Sequence, residues 1–268
     1  MEIKDKVFIV TGASSGIGEE LSKQLALKGA YVVCAARNIK KLDMVCSSIN
    51  DSGGSAISVQ TDITDQTQCQ KMVETAILAY NKIDGLVLNA GISMWAKFDE
   101  IKDIKFFETI MNTNYLGSVF CVHSALPHLK KSHGTIVSCS TAQAIMGFPN
   151  HSGYVASKHA LHGFLSTIRM ENKSDITILE AVLSWIRGTN LRGNSYGPDG
   201  NPKNSIIRKH TSESVSLDAC VRKIIQGIEK NKTKIYIPRK LSFIPFLKVF
   251  FNRLLEKKVI GAIKKNKE

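Results

Sequence analysis

Short, β-branched apolar runs recur along the chain, and longer stretches with helical spacing of apolar residues lie between them. The runs 7–11, 31–35, 56–61, 85–88, 135–139, 177–182 and 234–237 predict seven strands. The first five are almost continuously hydrophobic instead of alternating, the pattern of parallel strands covered by helices on both faces. Helices are expected at about 16–28, 39–50, 66–81, 103–129, 152–172 and 216–230, most of them closing on Gly, Asn or a charged turn. This order of elements implies one doubly wound α/β domain. Its ligands would bind at the carboxyl edge of the sheet. No repeat, low-complexity tract or linker divides the chain. The stretch 187–205, rich in Gly, Asn and Pro, is expected to begin a mobile substrate loop that reaches about residue 215.

The apolar pattern changes character after residue 238. Phe243, Phe246, Leu247, Phe250, Phe251, Leu254 and Leu255 form an i, i+3, i+4 stripe, while Lys248, Asn252, Arg253, Glu256 and Lys257 take other faces. This predicts an amphipathic helix that either packs on the sheet, a partner subunit or the substrate entrance, or lies at a membrane interface. The chain therefore reads as a domain over 1–238 and a basic amphipathic extension over 239–268. The formal net charge is +13, and residues 239–268 supply seven of those charges, with nine Lys/Arg against two Glu. The basicity belongs largely to the tail, which argues against nucleic acid as a partner. The polar N-terminus, with no basic-then-apolar leader and no uninterrupted apolar stretch of about 18 residues, points to a cytoplasmic protein with peripheral membrane contact at most. Six scattered cysteines without metal spacing fit buried thiols in a reducing compartment. The seven histidines show no zinc-like pairing, and no metal is expected.

The candidate chemistry begins where the first strand meets the first helix, at Thr11-Gly12-Ala13-Ser14-Ser15-Gly16-Ile17-Gly18. Glycines here permit a sharp turn and close approach to a pyrophosphate, with Ser14, Ser15 and Ile17 alongside and the helix N-terminus meeting the charge. A tight turn serving only packing is the plainer alternative. At the end of the second strand, where a ribose-binding carboxylate is usual for NAD, the chain has Arg37-Asn38. An arginine there suits the 2′-phosphate of NADP(H). Asp62-Ile63 would contact adenine, or Asp62 would cap the helix starting near Asp65; Asn89-Ala90-Gly91 would let the backbone pass close to the cofactor.

Tyr154 and Lys158 stand four apart in a helical pattern and so share a face. An adjacent cation would favour the phenolate and turn Tyr154 into a usable proton donor, although two such residues also occur on ordinary surface helices. Asn114 sits inside a helical pattern, where Asn competes with the backbone and needs a reason to be present. Ser138-Cys139-Ser140-Thr141 brings hydroxyls to the sheet edge, where one would polarise a carbonyl.

Taken together and in order, Thr11 to Gly18, Asp62, Asn89-Ala90-Gly91, Asn114, Tyr154 and Lys158 resemble the short-chain dehydrogenase/reductases, Rossmann-fold enzymes with T-G-x-x-x-G-x-G and Y-x-x-x-K motifs. The Ala125 to Lys131 and Tyr154 to Leu161 blocks and the basic tail further resemble the branch containing 11β-hydroxysteroid dehydrogenase type 1. The resemblance implies Tyr154 as proton donor or acceptor, Lys158 on the nicotinamide ribose, Asn114 anchoring a relay water, and a homodimer or homotetramer. It implies NADP(H)-dependent hydride transfer with a lipophilic ketone, aldehyde or alcohol of steroid-, sphingoid- or acyl-like kind. The alternative is a non-catalytic dinucleotide-binding or membrane-associated protein that keeps the fold. The family serine, thirteen residues before the tyrosine, falls on Thr141, with Ser140 in reserve. Leu88 replaces a usual asparagine. Leu183-Ser184-Trp185-Ile186 replaces the usual Pro-Gly turn, and Thr189, the nicotinamide-amide contact, is displaced by one.

Overall fold

The structure is a computed structural model describing residues 1–191, 193–202 and 214–265. Strands β1 (Val7–Thr11), β2 (Tyr31–Ala36), β3 (Ser55–Gln60), β4 (Gly85–Leu88), β5 (Thr135–Thr141) and β6 (Thr177–Leu183) join a small pair, β7 (Ile186–Arg187) and β8 (Val215–Ser216), and then β9 (Lys234–Ile237). Seven of them form one all-parallel sheet in the order β3-β2-β1-β4-β5-β6-β9, so the topological reversal falls between β1 and β4. This is a single-domain doubly wound Rossmann-type fold.

Alternation along each strand sends side chains to two cores. Phe8, Val10, Cys34 and Val137 meet α1 (Gly16–Leu27), α2 (Ile39–Asp51) and α7 (Leu217–Glu229), whereas Ile9, Val33, Leu86 and Ile136 meet α3 (Gln66–Tyr80), α5 (Gly117–Ser132) and α6 (Ser152–Glu171). With both faces covered, strand positions of either parity must be apolar, which is why the strands lack alternation. All six cysteines are buried and free of disulfides.

Three expectations need correction. The helix expected over 103–129 is interrupted: α4 (Phe106–Met111) passes through a π-turn at Asn112–Leu116 into α5. The tail is not one helix. A 3₁₀ turn at Arg239–Phe243 precedes α8 (Ile244–Phe250), Phe251 leaves helical geometry at φ −137°, ψ 41°, and Asn252, a residue type suited to helix starts, opens α9 (Asn252–Lys265). The stretch expected as a mobile loop is partly fastened. Tyr196 N–H donates to Ser93 O and Trp95 N–H to Tyr196 O, both at 2.9 Å, and the Tyr196 ring stacks on Phe106 with centroids 4.8 Å apart. That aromatic anchor, far away in sequence, gives the segment a partner its composition does not show. Residues 192 and 203–213 of the stretch, His210 among them, lie outside the described residues.

Candidate active site

The loop after β1 is held to the end of β4 by a buried Thr11. Its Oγ1 donates to Val87 O at 2.9 Å and accepts from the N–H groups of Asn89 (3.0 Å) and Ala90 (3.2 Å). Asn89 Nδ2 returns the contact to Thr11 O and Gly12 O at 3.0 and 3.2 Å. Two glycines are forced. A Cβ on Gly18 would lie 2.3 Å from Gly12 O, and Gly12 has φ +66° with Ala90 Cα 2.9 Å from the place of a Cβ. Side chains cap the first turns of α2 (Asn38), α3 (Asp65) and α7 (Ser216), yet Ser15 at the N-cap of α1 makes no side-chain cap bond. The start of α1, which follows β1 at the switch point, thus leaves its first amides without a side-chain cap, with Ser14, Gly16 and Ile17 around it, an arrangement suited to an anion. Thr189 crosses this loop, its Cγ2 3.5 Å from where a Gly16 Cβ would be.

Arg37 is exposed at the end of β2, and no carboxylate pairs with it among the described residues. Asn38 has a structural task, accepting from Lys41 N–H at 3.1 Å. Asp62 does not cap α3; Asp65 does, while Asp62 Oδ1 accepts from Thr64 N–H and Oγ1 at 3.0 and 2.8 Å. Ile63 is buried against Gly117, so tightly that a Cβ on Gly117 would meet it at 2.8 Å.

The second half of the site is built on α6. Tyr154 and Lys158 are 7% and 6% exposed, and Lys158 Nζ lies 5.8 Å from the centre of the Tyr154 ring. Gly91 brings the backbone beside them, since a Cβ there would be 3.7 Å from Lys158 Nζ and 3.0 Å from Asn114 Oδ1. Asn114 is fully buried in the π-turn. Its amide grips Ile92 in both directions, accepting from N–H and donating to O at 2.9 Å, and donates to Ser157 Oγ at 2.9 Å. Ser157 Oγ in turn donates to Tyr154 O at 2.8 Å. Sheet edge, π-turn and α6 are therefore one clamp. Electrostatics depart from the expected lowering of the phenol: burial pushes Tyr154 up and Lys158 down, toward their neutral forms. The sequence shows the neighbouring cation but not the depth of the pocket.

The hydroxyls at the end of β5 face different ways. Ser140 Oγ donates to buried Glu180 Oε1 at 3.2 Å, and the half-buried His162 Nδ1 (2.8 Å) and Lys234 Nζ (3.4 Å) reach the same carboxylate. Burial would raise Glu180, but the His162 hydrogen bond and charge and the nearby Lys234 pull it below the usual range. Thr141 is on the other face with Cys139, whose thiol is pushed up to about 12 by burial while the Lys158 charge opposes that rise. Among the described residues Thr141 Oγ1 only accepts, a 3.3 Å bond from Gln143 N–H, so its proton is not spent there.

This geometry has counterparts. The family model described as short chain dehydrogenase matches residues 6–197. The chain belongs to the short-chain dehydrogenase family. It is 34% identical over 247 residues to 11-beta-hydroxysteroid dehydrogenase-like 3 of Arabidopsis thaliana, covering 91% of this chain and 76% of the relative. It is 30% identical over 256 residues to 11-beta-hydroxysteroid dehydrogenase 1A of the same plant, covering 94% and 73%. The implied branch is thus supported. The fold matches a Burkholderia cenocepacia short chain dehydrogenase solved in complex with NADP, with a TM-score of 0.79, 21% identity and coverage of 97% and 99%. It also matches a Thermococcus sibiricus alcohol dehydrogenase complexed with 5-hydroxy-NADP, at 0.74, 20%, 87% and 96%.

Several side chains that shape this short-chain dehydrogenase site carry no motif. Met94 and Phe106 join Tyr154 in a buried apolar cluster with Ile92 and Tyr196 against it, and Met94 Sδ accepts from Gly153 N–H at 3.2 Å. His151 is buried between the Trp95 and Phe148 rings at 4.9 and 5.1 Å, with the Tyr154 ring at 6.0 Å. His151 is hinted at by its place three residues before Tyr154, and the others by the apolar character of Ile92 and Met94 to Ala96; which strand end they cover is a tertiary fact.

Proposed function

We propose that this short-chain dehydrogenase is an NADP(H)-dependent oxidoreductase of lipophilic carbonyl compounds, working as a reductase. The observation that carries the reading is the buried Tyr154–Lys158 pair, clamped through Asn114 and Ser157 to a sheet edge whose neighbouring helix start is left uncapped. The glycine cradle fits a pyrophosphate, and exposed Arg37 suits a 2′-phosphate. A bound nicotinamide would supply the hydride. Lys158 would hold the nicotinamide ribose, with Thr189 over the loop beside it.

Tyr154 delivers the proton to the carbonyl oxygen, and its raised pKa keeps it in the protonated form that reduction needs. Thr141 donates to the same oxygen as charge develops on it. The Asn114 side chain is spent on Ile92 and Ser157, so its place in proton relay rests on its main-chain carbonyl, which has two lone pairs and already receives Ser118 Oγ at 3.2 Å. Lipophilic carbonyls are favoured by the apolar surroundings of Tyr154, where Met94, Phe106 and Tyr196 pack, and by the names of the plant relatives.

The test is consumption of NADPH, and more slowly of NADH, by the purified protein with a panel of apolar ketones and aldehydes. Tyr154→Phe should lower kcat by about 10²–10⁴-fold while NADPH still binds. Wild-type protein that binds NADPH but reduces none of the panel, with Tyr154→Phe unchanged, sinks the proposal.

A further inference from the structure

Among the described residues, Glu180 is the only carboxylate in the seven strands of the main sheet. It stands in β6 between Ile178 and Val182, which share its face and are fully buried, and is itself 1% exposed. A leucine there would pack without the cost of stripping water from a charge, so stability does not account for the carboxylate. Its contacts do. Ser140 of β5 and Lys234 of β9 reach it at 3.2 and 3.4 Å, but both strands are already joined to β6 through the backbone ladder, so these two contacts steady the carboxylate and add little to the sheet. The contact that leaves the sheet is with α6, where His162 Nδ1 meets Oε1 at 2.8 Å. An ionised carboxylate only accepts, so the ring nitrogen donates and its tautomer is fixed.

His162 stands four residues after Lys158 and eight after Tyr154, so the three follow one another along one face of α6. Leu161 and Leu165 hold the helix down in one cluster with Ile136 and Ile178, but apolar packing is non-directional. Two directional side-chain bonds bracket Lys158: Asn114 to Ser157 on one side, and His162 to Glu180 on the other. Together they fix both the rotation of α6 about its axis and its slide along the sheet. We propose that Glu180 is a positioning residue, setting the register of α6 through His162 and so the placement of Tyr154 and Lys158 against Thr141, a role that rests on the reductase reading. The polar contacts of Glu180 reach Ser140, His162 and Lys234 and neither catalytic side chain of α6, so it acts only through the helix. Loss of the link should therefore spare binding and slow the chemical step.

Each end of the link has a substitution that breaks it and one that restores it. Glu180→Leu removes the acceptor and fills its space, whereas Glu180→Gln keeps an oxygen for His162. His162→Ala removes the donor, and His162→Asn returns an N–H near the place of Nδ1. In the full chain, both breaking variants should lower kcat for an apolar ketone by about 10–100-fold, with KM and the NADPH Kd within about twofold of wild type. Deuterated NADPH should show a larger isotope effect on kcat in these variants, and the urea midpoint of Glu180→Leu should hold. Glu180→Gln and His162→Asn should recover kcat to within about threefold of wild type. Unchanged kcat in Glu180→Leu overturns the proposal. A kcat loss that the restoring variants do not recover, or that follows a fall in the urea midpoint or in NADPH affinity, makes the link a fold contact and overturns it too. Should Glu180→Leu not fold, the His162 pair gives the same readings, since that ring is half-buried and water can take its place. If wild type reduces no ketone, the reductase reading falls, and amide hydrogen exchange still judges the link. Residues 155–162 should then exchange at least about fivefold faster in the breaking variants than in wild type, and equal exchange overturns the tether.

Discussion

Two adjacent hydroxyls at the end of β5 have opposite fates, and the difference is measurable. Ser140 is committed to Glu180, whose second oxygen is buried and meets only the Lys234 ammonium, at 3.4 Å, among the described residues. Ser140→Ala should therefore cost about 1–3 kcal/mol of stability by removing a donor from a buried carboxylate, and leave kcat nearly unchanged. Thr141→Ala should do the reverse, lowering kcat by about 10²–10³-fold with little change in a denaturant midpoint, and Thr141→Ser should restore the rate. The pair of readouts separates a stabiliser of developing charge from a fold contact. Proton transfer offers a second test at this scale. Because burial raises the Tyr154 pKa, the phenol stays protonated through neutral pH, so ketone reduction should hold level from about pH 6 to about pH 9. Alcohol oxidation needs the phenolate and should still be climbing at about pH 9. A reduction rate that titrates away near pH 7 to 8 would mean the lysine outweighs burial.

At the scale of elements, the glycine loop joins β1 to α1 by backbone contact, and the contact leaves no room. A Cβ on Gly18 would sit 2.3 Å from Gly12 O and 2.6 Å from Asn89 Nδ2. Gly18→Ala should cost about 1–3 kcal/mol and weaken the rise in melting temperature that NADPH gives, whereas an alanine at Gly163, where a Cβ meets nothing within 4 Å, should leave that rise intact. The turn itself was legible in the chain, because Thr11 to Gly18 is local, whereas the contacts of Thr11 and Gly12 with Val87 and Asn89 were not. The strands were legible for a related reason: burial on both faces writes itself as unbroken apolar runs. The π-turn was not. Asn114 could be seen to need a reason for sitting in a helix, but the reason, a buried grip on Ile92 and Ser157, joins residues 22 and 43 positions away. The direction of Ser140 was hidden likewise, since parity along β5 fixes its face only once the strand is known to run to Thr141. Glu180, its partner, lies on another strand altogether.

For the molecule as a whole, the extension after residue 238 is part of the core on one side and a free surface on the other. Its sequence stripe merged the two because i, i+3, i+4 spacing assumes one straight helix, and the break at Phe251 divides the stripe. Leu255 points inward to Met146 and Val182, on the segment between Thr141 and Tyr154 and on β6. Leu255→Ala should thus cost about 2–5 kcal/mol, the range for emptying a packed leucine site, and loosen the loop that positions Thr141. Phe250 is 66% exposed and leans on another exposed ring, so Phe250→Ser should change stability by no more than about 0.5 kcal/mol. Urea unfolding of the two variants checks the division. Equal losses would make the tail a uniformly packed element; a large loss at Leu255 alone leaves the segment between Thr141 and Tyr154 braced from behind by the same helices that present the phenylalanines to solvent.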